Sequence, residues 1–465
     1  MFEFCAMKIL KSINYISACG ILGYGFSAEN MDFALQNGKW NFIGADAGSS
    51  DPGPYYLGSG TGFVKPAQTK RDLSYALTGA LNSKLPLIIG SAGGSGAKPH
   101  LESFLEILRE IAAEKSLHFK LAVIYADIDR NIVAEALKKN MIIPCENVHN
   151  LTAENISQAT NLVGQMGTEP FIKALKSGAD VIIAGRSCDT AIFAAYPIMH
   201  GYDPGLALHA AKIAECGALC AIPAGANDSV GVHLGEDHFI VEPLSLERIC
   251  TPESVAAHSL YEQPQPQCFF EPEGKINMRN SVFTQHDNRS VKVSGSRLEP
   301  AAESTIKLEG ARLAGYRSLT IAGMRDPLEI RNLDAIQQSV RENVAKNLKG
   351  ILDESRYSLR FLRYGLDAVN PYIGNSSQNY PDEIGLLIDV IAASQAEADL
   401  VVSLARSTAL HQSFPGRKTT AGNLAFPFSP SDFRGGAVYE FSVYHLMKVS
   451  GKEKEGLFKI KLMEV

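Results

Sequence analysis

Residues 179–190, ADVIIAGRSCDT, place a short run of β-branched and apolar residues directly before Gly185-Arg186-Ser187-Cys188-Asp189-Thr190. A run that brief and apolar on both faces reads as a parallel strand covered on each side, with the polar residues at its carboxyl end. Three earlier stretches have the same form: 41–45 (NFIGA), 86–90 (PLIIG) and 121–126 (LAVIYA). Between them lie amphipathic segments. Pro99 reads as a first helical residue, followed by an apolar stripe of Leu101, Phe104, Leu105, Leu108 and Ile111. Thr168 reads as an N-cap, Gly178 as a left-handed stop, and Asp203-Pro204 as another helix start. Strand–helix alternation of this kind predicts an α/β fold for residues 8–231, a parallel sheet flanked by helices, with open sheet and barrel both allowed.

Beyond this half the texture changes twice. Residues 232–314 form a β-rich segment of short strands, at 239–242, 291–293 and 305–308, with DNRS (287–290) as a hairpin turn. Residues 315–465 predict strand 318–322, helix 333–348 stopped at Gly350, strands 358–364 and 384–391, helix 395–410 and strand 438–447. That β-α-β-β-α-β order is the ferredoxin-like α+β one. A long loop, 412–436, precedes the last strand and carries Arg417-Lys418, a spot that could close over an anion.

Composition excludes several classes. Hydrophobic residues make up 45% and charged residues 20% of 465, an ordinary globular balance that supports two or three domains. Net charge is −6 without a basic block, which disfavours nucleic acid and anionic membranes as partners. The eight cysteines form no C-x-x-C and no dense framework, so they read as small buried hydrophobes of a reducing, cytoplasmic compartment. The apolar start is interrupted by Lys8, Lys11, Ser12 and Asn14 and reads as a short extension before a first strand.

Ligands of open parallel sheets bind beyond the carboxyl ends of strands, and four such turns carry unusual residues. Asp46 and Asp51, five apart on a Gly/Pro-rich turn, could share a divalent cation or divide acid and base roles; a cap and a turn former are the plainer alternative. In the second turn, Ser91, Gly93, Gly94, Ser95 and Gly96 precede a helix and could cradle an anion, with His100 donating to the same ligand. A merely tight turn fits equally. Asp127 and Asp129 follow the third strand, Asp129 as a helix cap. After the fourth, Arg186 could grip a carboxylate, with Asp189 orienting it and Thr190 adding a contact; an internal Arg–Asp pair is the alternative. Cys188 as nucleophile has no local signature behind it. Asp237-His238, His258 and Arg297 are weaker candidates, and no zinc-type cluster or G-x-S-x-G elbow occurs.

At these turns the chain resembles the acyclic terpene utilisation protein A family. The likeness is carried by LGYGF (22–26), DAGSSDPGPYYLG (46–58), IIGSAGGSG (88–96), VIIAGRSCDTAIFAA (181–195), CTPESVAAHSLYE (250–262), VSGSRLEP (293–300) and PGRKTTAGNLAFPFSPSD (415–432). The resemblance implies catabolism of branched terpenoids through acyl-CoA intermediates and assigns no catalytic residue. Together with the turns it leads to an expected lyase or hydro-lyase acting on a small anionic metabolite, a carboxylate or acyl-CoA. An acyl or CoA transferase using Asp51 or Glu169, and a scaffold working as a homo-oligomer or with a small partner subunit, are the alternatives.

Overall fold

The computed structural model describes residues 11–145, 147–261, 265–370, 380–418, 420–450 and 456–465; the N-terminal extension read from the sequence lies outside them. The chain divides into two compact units, residues 1–312 with 441–465, and residues 313–440.

The first unit is built on strands β1 (Ile13–Ser17), β2 (Phe42–Asp46), β3 (Leu87–Gly90), β4 (Lys120–Ile124), β5 (Ile142–Pro144), β6 (Asn161–Gln165), β7 (Val181–Ala184), β8 (Val230–Leu234) and β9 (His238–Pro243). Downstream come β10 (Cys268–Glu271), β11 (Gly274–Asn277), β12 (Val282–Gln285), β13 (Val291–Ser294), β14 (Arg297–Pro300) and β15 (Thr305–Met324). Strands β16 (Tyr357–Tyr364), β17 (Ile384–Ala392), β18 (Asp432–Lys448) and β19 (Ile460–Glu464) complete the set. Ten of them form one open sheet, in the order β12-β13-β9-β8-β1-β2-β3-β7-β4-β19.

Its centre, β1-β2-β3-β7-β4, is parallel, as the apolar runs predict. The flanks are not. β8 pairs antiparallel with β1, β19 with β4, and β9, β13 and β12 extend the β8 side by antiparallel pairing. The expected parallel sheet is therefore corrected to a mixed one, to which the β-rich segment adds strands. Short hairpin turns such as 286–290, closed by His286 N–H donating to the Ser290 carbonyl, allow only antiparallel neighbours.

Alternation along the central strands separates two cores. Phe42, Ile88, Ala122 and Ile182 point to one face with Phe171, Phe193 and Leu208, while Ile43, Ile89, Val123 and Ile183 point to the other with Met31, Leu77 and Leu105. Helices therefore cover both faces. Helix Lys98–Lys115 has Pro99 in its first turn, and Asp203 caps Pro204–Ala214 by accepting from Leu206 N–H. The expected Thr168 cap is shifted by one: Gly167 holds the cap position, and Thr168 opens the helix Thr168–Lys176.

β10, β11 and β14 form a separate three-stranded sheet. Still in the first unit, the beginning of β15 pairs with β6 and the end of β18 with β5.

In the second unit β15 is followed by helix Leu333–Leu348, β16, β17, helix Gln395–His411 and β18, and the strands lie in the order β18-β15-β17-β16. Ile336, Val340, Ile388, Val390, Val401 and Val402 make its own core. Arg417 donates to the carbonyls of His411, Gln412 and Ala421, so its guanidinium ties its own loop together.

Candidate functional site

The parallel pairing of β2, β3 and β7 brings Asp46, Ser91 and Arg186 out at the carboxyl rim of one sheet. Backbone contacts lock the three following loops together. Ser91 N–H donates to Gly185, Ala92 N–H to Ala184, and Arg186 N–H to Gly96. A Cβ on Gly96 (φ +66°) would lie 2.1 Å from the Arg186 nitrogen, and one on Gly48 (φ +151°) 2.3 Å from the Gly94 Cα. The glycines are required by this close approach. Ser91 itself sits at φ 46°, a left-handed conformation that costs a non-glycine residue about 1 kcal/mol or more. Of the expected anion cradle, the N–H groups of Ser91 and Gly94 are bonded to carbonyls, as is that of Ala92 between them. His100 is buried behind the same loop, with its Nε2 2.9 Å from the Tyr56 carbonyl. Ser95 is fully buried in the same loop.

Arg186 is 3% exposed and stands at the centre of a charged cluster. Its Nε donates to Glu309 Oε2 at 2.8 Å and its Nη2 to Oε1 at 3.4 Å, while Nη1 reaches the Ser187 carbonyl (3.1 Å) and Ser91 Oγ (3.3 Å). Asp189 Oδ1 lies 3.7 Å from Nη1. The Nε and Nη2 edge of the guanidinium is thus paired with Glu309 inside the protein. Burial alone would push the guanidinium down, but Glu309, Asp189 and Asp46 outweigh it and hold it charged. Burial would likewise push Glu309 up; Arg186 and Lys307 override it and hold the carboxyl at about 2. Lys307 Nζ lies 3.0 Å from Glu309 Oε1 and donates to the Tyr444 hydroxyl at 2.7 Å.

Asp46 differs in kind. It is 4% exposed, and its Oδ1 is buried without a hydrogen-bond partner. Burial, then the nearby Asp189, raise its carboxyl well above the ordinary range, and Arg186 offsets this only in part. Asp51 does not join it. That carboxylate faces solvent and accepts from Ser49 Oγ at 2.6 Å, a turn pair. Among the described residues no group of three or more His, Cys, Asp or Glu is placed to hold a metal ion, so the expected cation site of Asp46 and Asp51 lacks its ligand set. Asp127 and Asp129 cap helices through the N–H groups of Lys98 and Asn131. Glu169 pairs with Lys173 on an exposed helix face. Asp237 and His238 pair at the surface, Arg297 is exposed, and His258 is buried, pushed down to about 4 by burial and then by Lys212.

Residues not singled out in the sequence complete the cluster. The turn between β10 and β11 carries Glu273, whose Oε1 accepts from the Thr168 N–H (2.7 Å) and hydroxyl (2.6 Å), capping that helix from 105 residues away. Glu271, beside Thr190, is pushed up to about 8 by burial and then by Glu273 and Glu215. Lys212 and Glu215, 2.5 Å apart, are buried in an apolar helix and its end. Cys188 is 7% exposed and its thiol is pushed well up, by burial first and by Glu271 next, which opposes a thiolate nucleophile. A hollow of about 530 Å³ opens beside Cys188, bounded by Gln165, Glu271, Pro272, Lys307 and Leu446.

Fold and rim together define a mixed α/β protein with ionisable side chains gathered at the carboxyl ends of its parallel strands. The family model of acyclic terpene utilisation family protein AtuA matches residues 65–227 and 237–430, and the chain belongs to that family. Membership ties it to acyclic terpene catabolism. No curated protein and no solved structure matches it. No helix among the described residues is long and apolar enough to cross a membrane.

Proposed function

We propose that the protein is a lyase or hydro-lyase of acyclic terpene catabolism acting on a carboxylate or acyl-CoA type substrate, with Asp46 moving the proton. The observation that carries this is the Asp46 carboxyl: buried, with one oxygen lacking a hydrogen-bond partner, and raised by burial and Asp189. A buried carboxyl whose proton affinity is raised is a better base and proton carrier than an ordinary surface aspartate. Asp189, less buried and on the opposite side of the charge balance from Arg186, tunes that proton affinity. Arg186 is a positioning residue: held by Glu309, it keeps fixed positive charge beside both aspartates.

The reaction class requires proton abstraction next to a carbonyl, and solvent exchange tests it without the full substrate being known. Branched unsaturated acids and their CoA thioesters are incubated with the protein in deuterium oxide, and label at the position beside the carbonyl is followed by mass spectrometry. Wild-type protein is expected to exchange, and Asp46→Asn to lower the rate by about 10²–10⁴-fold, the usual worth of a positioned acid–base group. Exchange at the wild-type rate in Asp46→Asn would remove Asp46 from the mechanism.

A further inference from the structure

The hollow beside Cys188 is built from two kinds of wall. Phe270, Pro272, Pro300 and Leu446 are apolar, whereas Glu271 and Lys307 bring a carboxyl group and an ammonium to the same space. The two polar groups come from distant parts of the chain and are held independently. Glu271 ends β10, and the turn after it is pinned by the bonds of Glu273 to Thr168. Lys307 is anchored by Glu309 and by the Tyr444 hydroxyl, over whose ring its Nζ also sits, 4.2 Å from the centroid. Through Cys188 the hollow shares a residue with the rim loop 185–190.

We propose that this hollow is a binding site for a compact aliphatic monocarboxylate, its hydrocarbon chain against the apolar wall and its carboxylate between Lys307 and Glu271. Resting on the acid–base reading of the rim for its role in turnover, the assignment places the acid end of the substrate, or of a carboxylate product, beside Cys188. A volume of about 530 Å³ falls in the range of small-molecule sites. Charge argues for an acid. Lys307 remains an ammonium because Glu309 and Tyr444 outweigh the effect of its burial. Glu271 keeps its proton at neutral pH and so donates to an anion. The ionisable groups facing Glu271 are Glu273, Glu215, Lys212 and Cys188, with Lys275, Glu299 and Lys307 on the hollow's wall. Lys275 pairs with Glu299 at 2.7 Å and Lys212 with Glu215 at 2.5 Å; Lys307 gives two of its three N–H donors to Glu309 and Tyr444 and keeps the third for a ligand.

The test is calorimetric titration of the full chain with butanoate, hexanoate and 3-methylbut-2-enoate. Affinity is expected to rise about fourfold for each added CH₂ that is buried. It should fall about tenfold per pH unit once the pH passes about 8, because ionised Glu271 then repels the ligand. Glu271→Gln, neutral at every pH and still a donor, should lose that pH dependence. Leu446→Trp, which narrows the hollow at its apolar wall, should weaken binding about tenfold or more. No binding at millimolar acid, pH-independent binding by the wild type, or unchanged binding by Leu446→Trp each overturns the proposal. Those results leave the Asp46 reading standing if deuterium exchange is still lost in Asp46→Asn, and an intact carboxylate site without exchange sinks the Asp46 reading alone.

Discussion

At the scale of single residues, the two buried acids of the rim pull stability in opposite directions. Glu309 is held at about 2, below an unfolded glutamate, so its contribution is complete above the ordinary carboxylate range and is lost as pH falls toward 2. Removing its charge leaves Arg186 and Lys307 buried or half-buried without their shared anion. Glu309→Gln is therefore expected to cost about 3–5 kcal/mol in denaturant unfolding, and a loss below about 1 kcal/mol would contradict the assigned pairing. Asp46 has the reverse sign. Its folded-state carboxyl is raised, so the unfolded chain releases that proton first and stability falls as pH climbs above the ordinary carboxylate range. Asp46→Asn should melt at a higher temperature than wild type at neutral pH, with the difference vanishing near pH 4. A group that weakens the fold while serving chemistry is the familiar trade of active sites.

At the scale of elements, the glycines of the rim divide by what surrounds them. Gly96→Ala would place a methyl 2.1 Å from the Arg186 nitrogen in a left-handed conformation, and should destabilise by well over about 1 kcal/mol. Gly178 shares the positive φ but has nothing within 4 Å, so Gly178→Ala should cost only the conformational term, about 1 kcal/mol. Equal losses in chemical unfolding would show that contact between the loops is unimportant. The strands and helices carrying these loops were legible because VIIA and LIIG are β-branched, apolar on both faces and followed by turn residues. What escaped were the flanking strands β8 and β19 themselves, neither of which the sequence reading includes, and with them the antiparallel edges of the sheet. The rim was legible in part. Asp46, Ser91 and Arg186 sit on turns that declare themselves, whereas Glu309 is a lone acid within a long strand. Its faint signal was Lys307 two residues earlier, which alternation puts on the same side. Lys212 and Glu215, the only charges across the apolar stretch 204–215, were a comparable sign. Glu271 gave none, because its place depends on where a hairpin docks.

At the scale of the whole molecule, the second unit has a hydrophobic core that shares no residue with the two cores of the first. Cooperative opening should follow that division. Ile388→Ala, at a fully buried position of β17, is expected to cost about 2–5 kcal/mol locally. Faster amide exchange should appear throughout 313–440 while β2, β3 and β7 keep their protection. Acceleration spread evenly over both units would mean that they open as one.

The ion pair between Arg186 and Glu309 spans 123 residues of chain. During synthesis the arginine leaves the ribosome roughly 6–25 seconds before its partner, at ordinary translation rates of about 5–20 residues per second. Until then the nascent sheet carries at its rim an arginine that lacks its nearest carboxylate partner. Translation past Glu309 supplies that partner, and the sheet gains its last edge only when β19 pairs with β4.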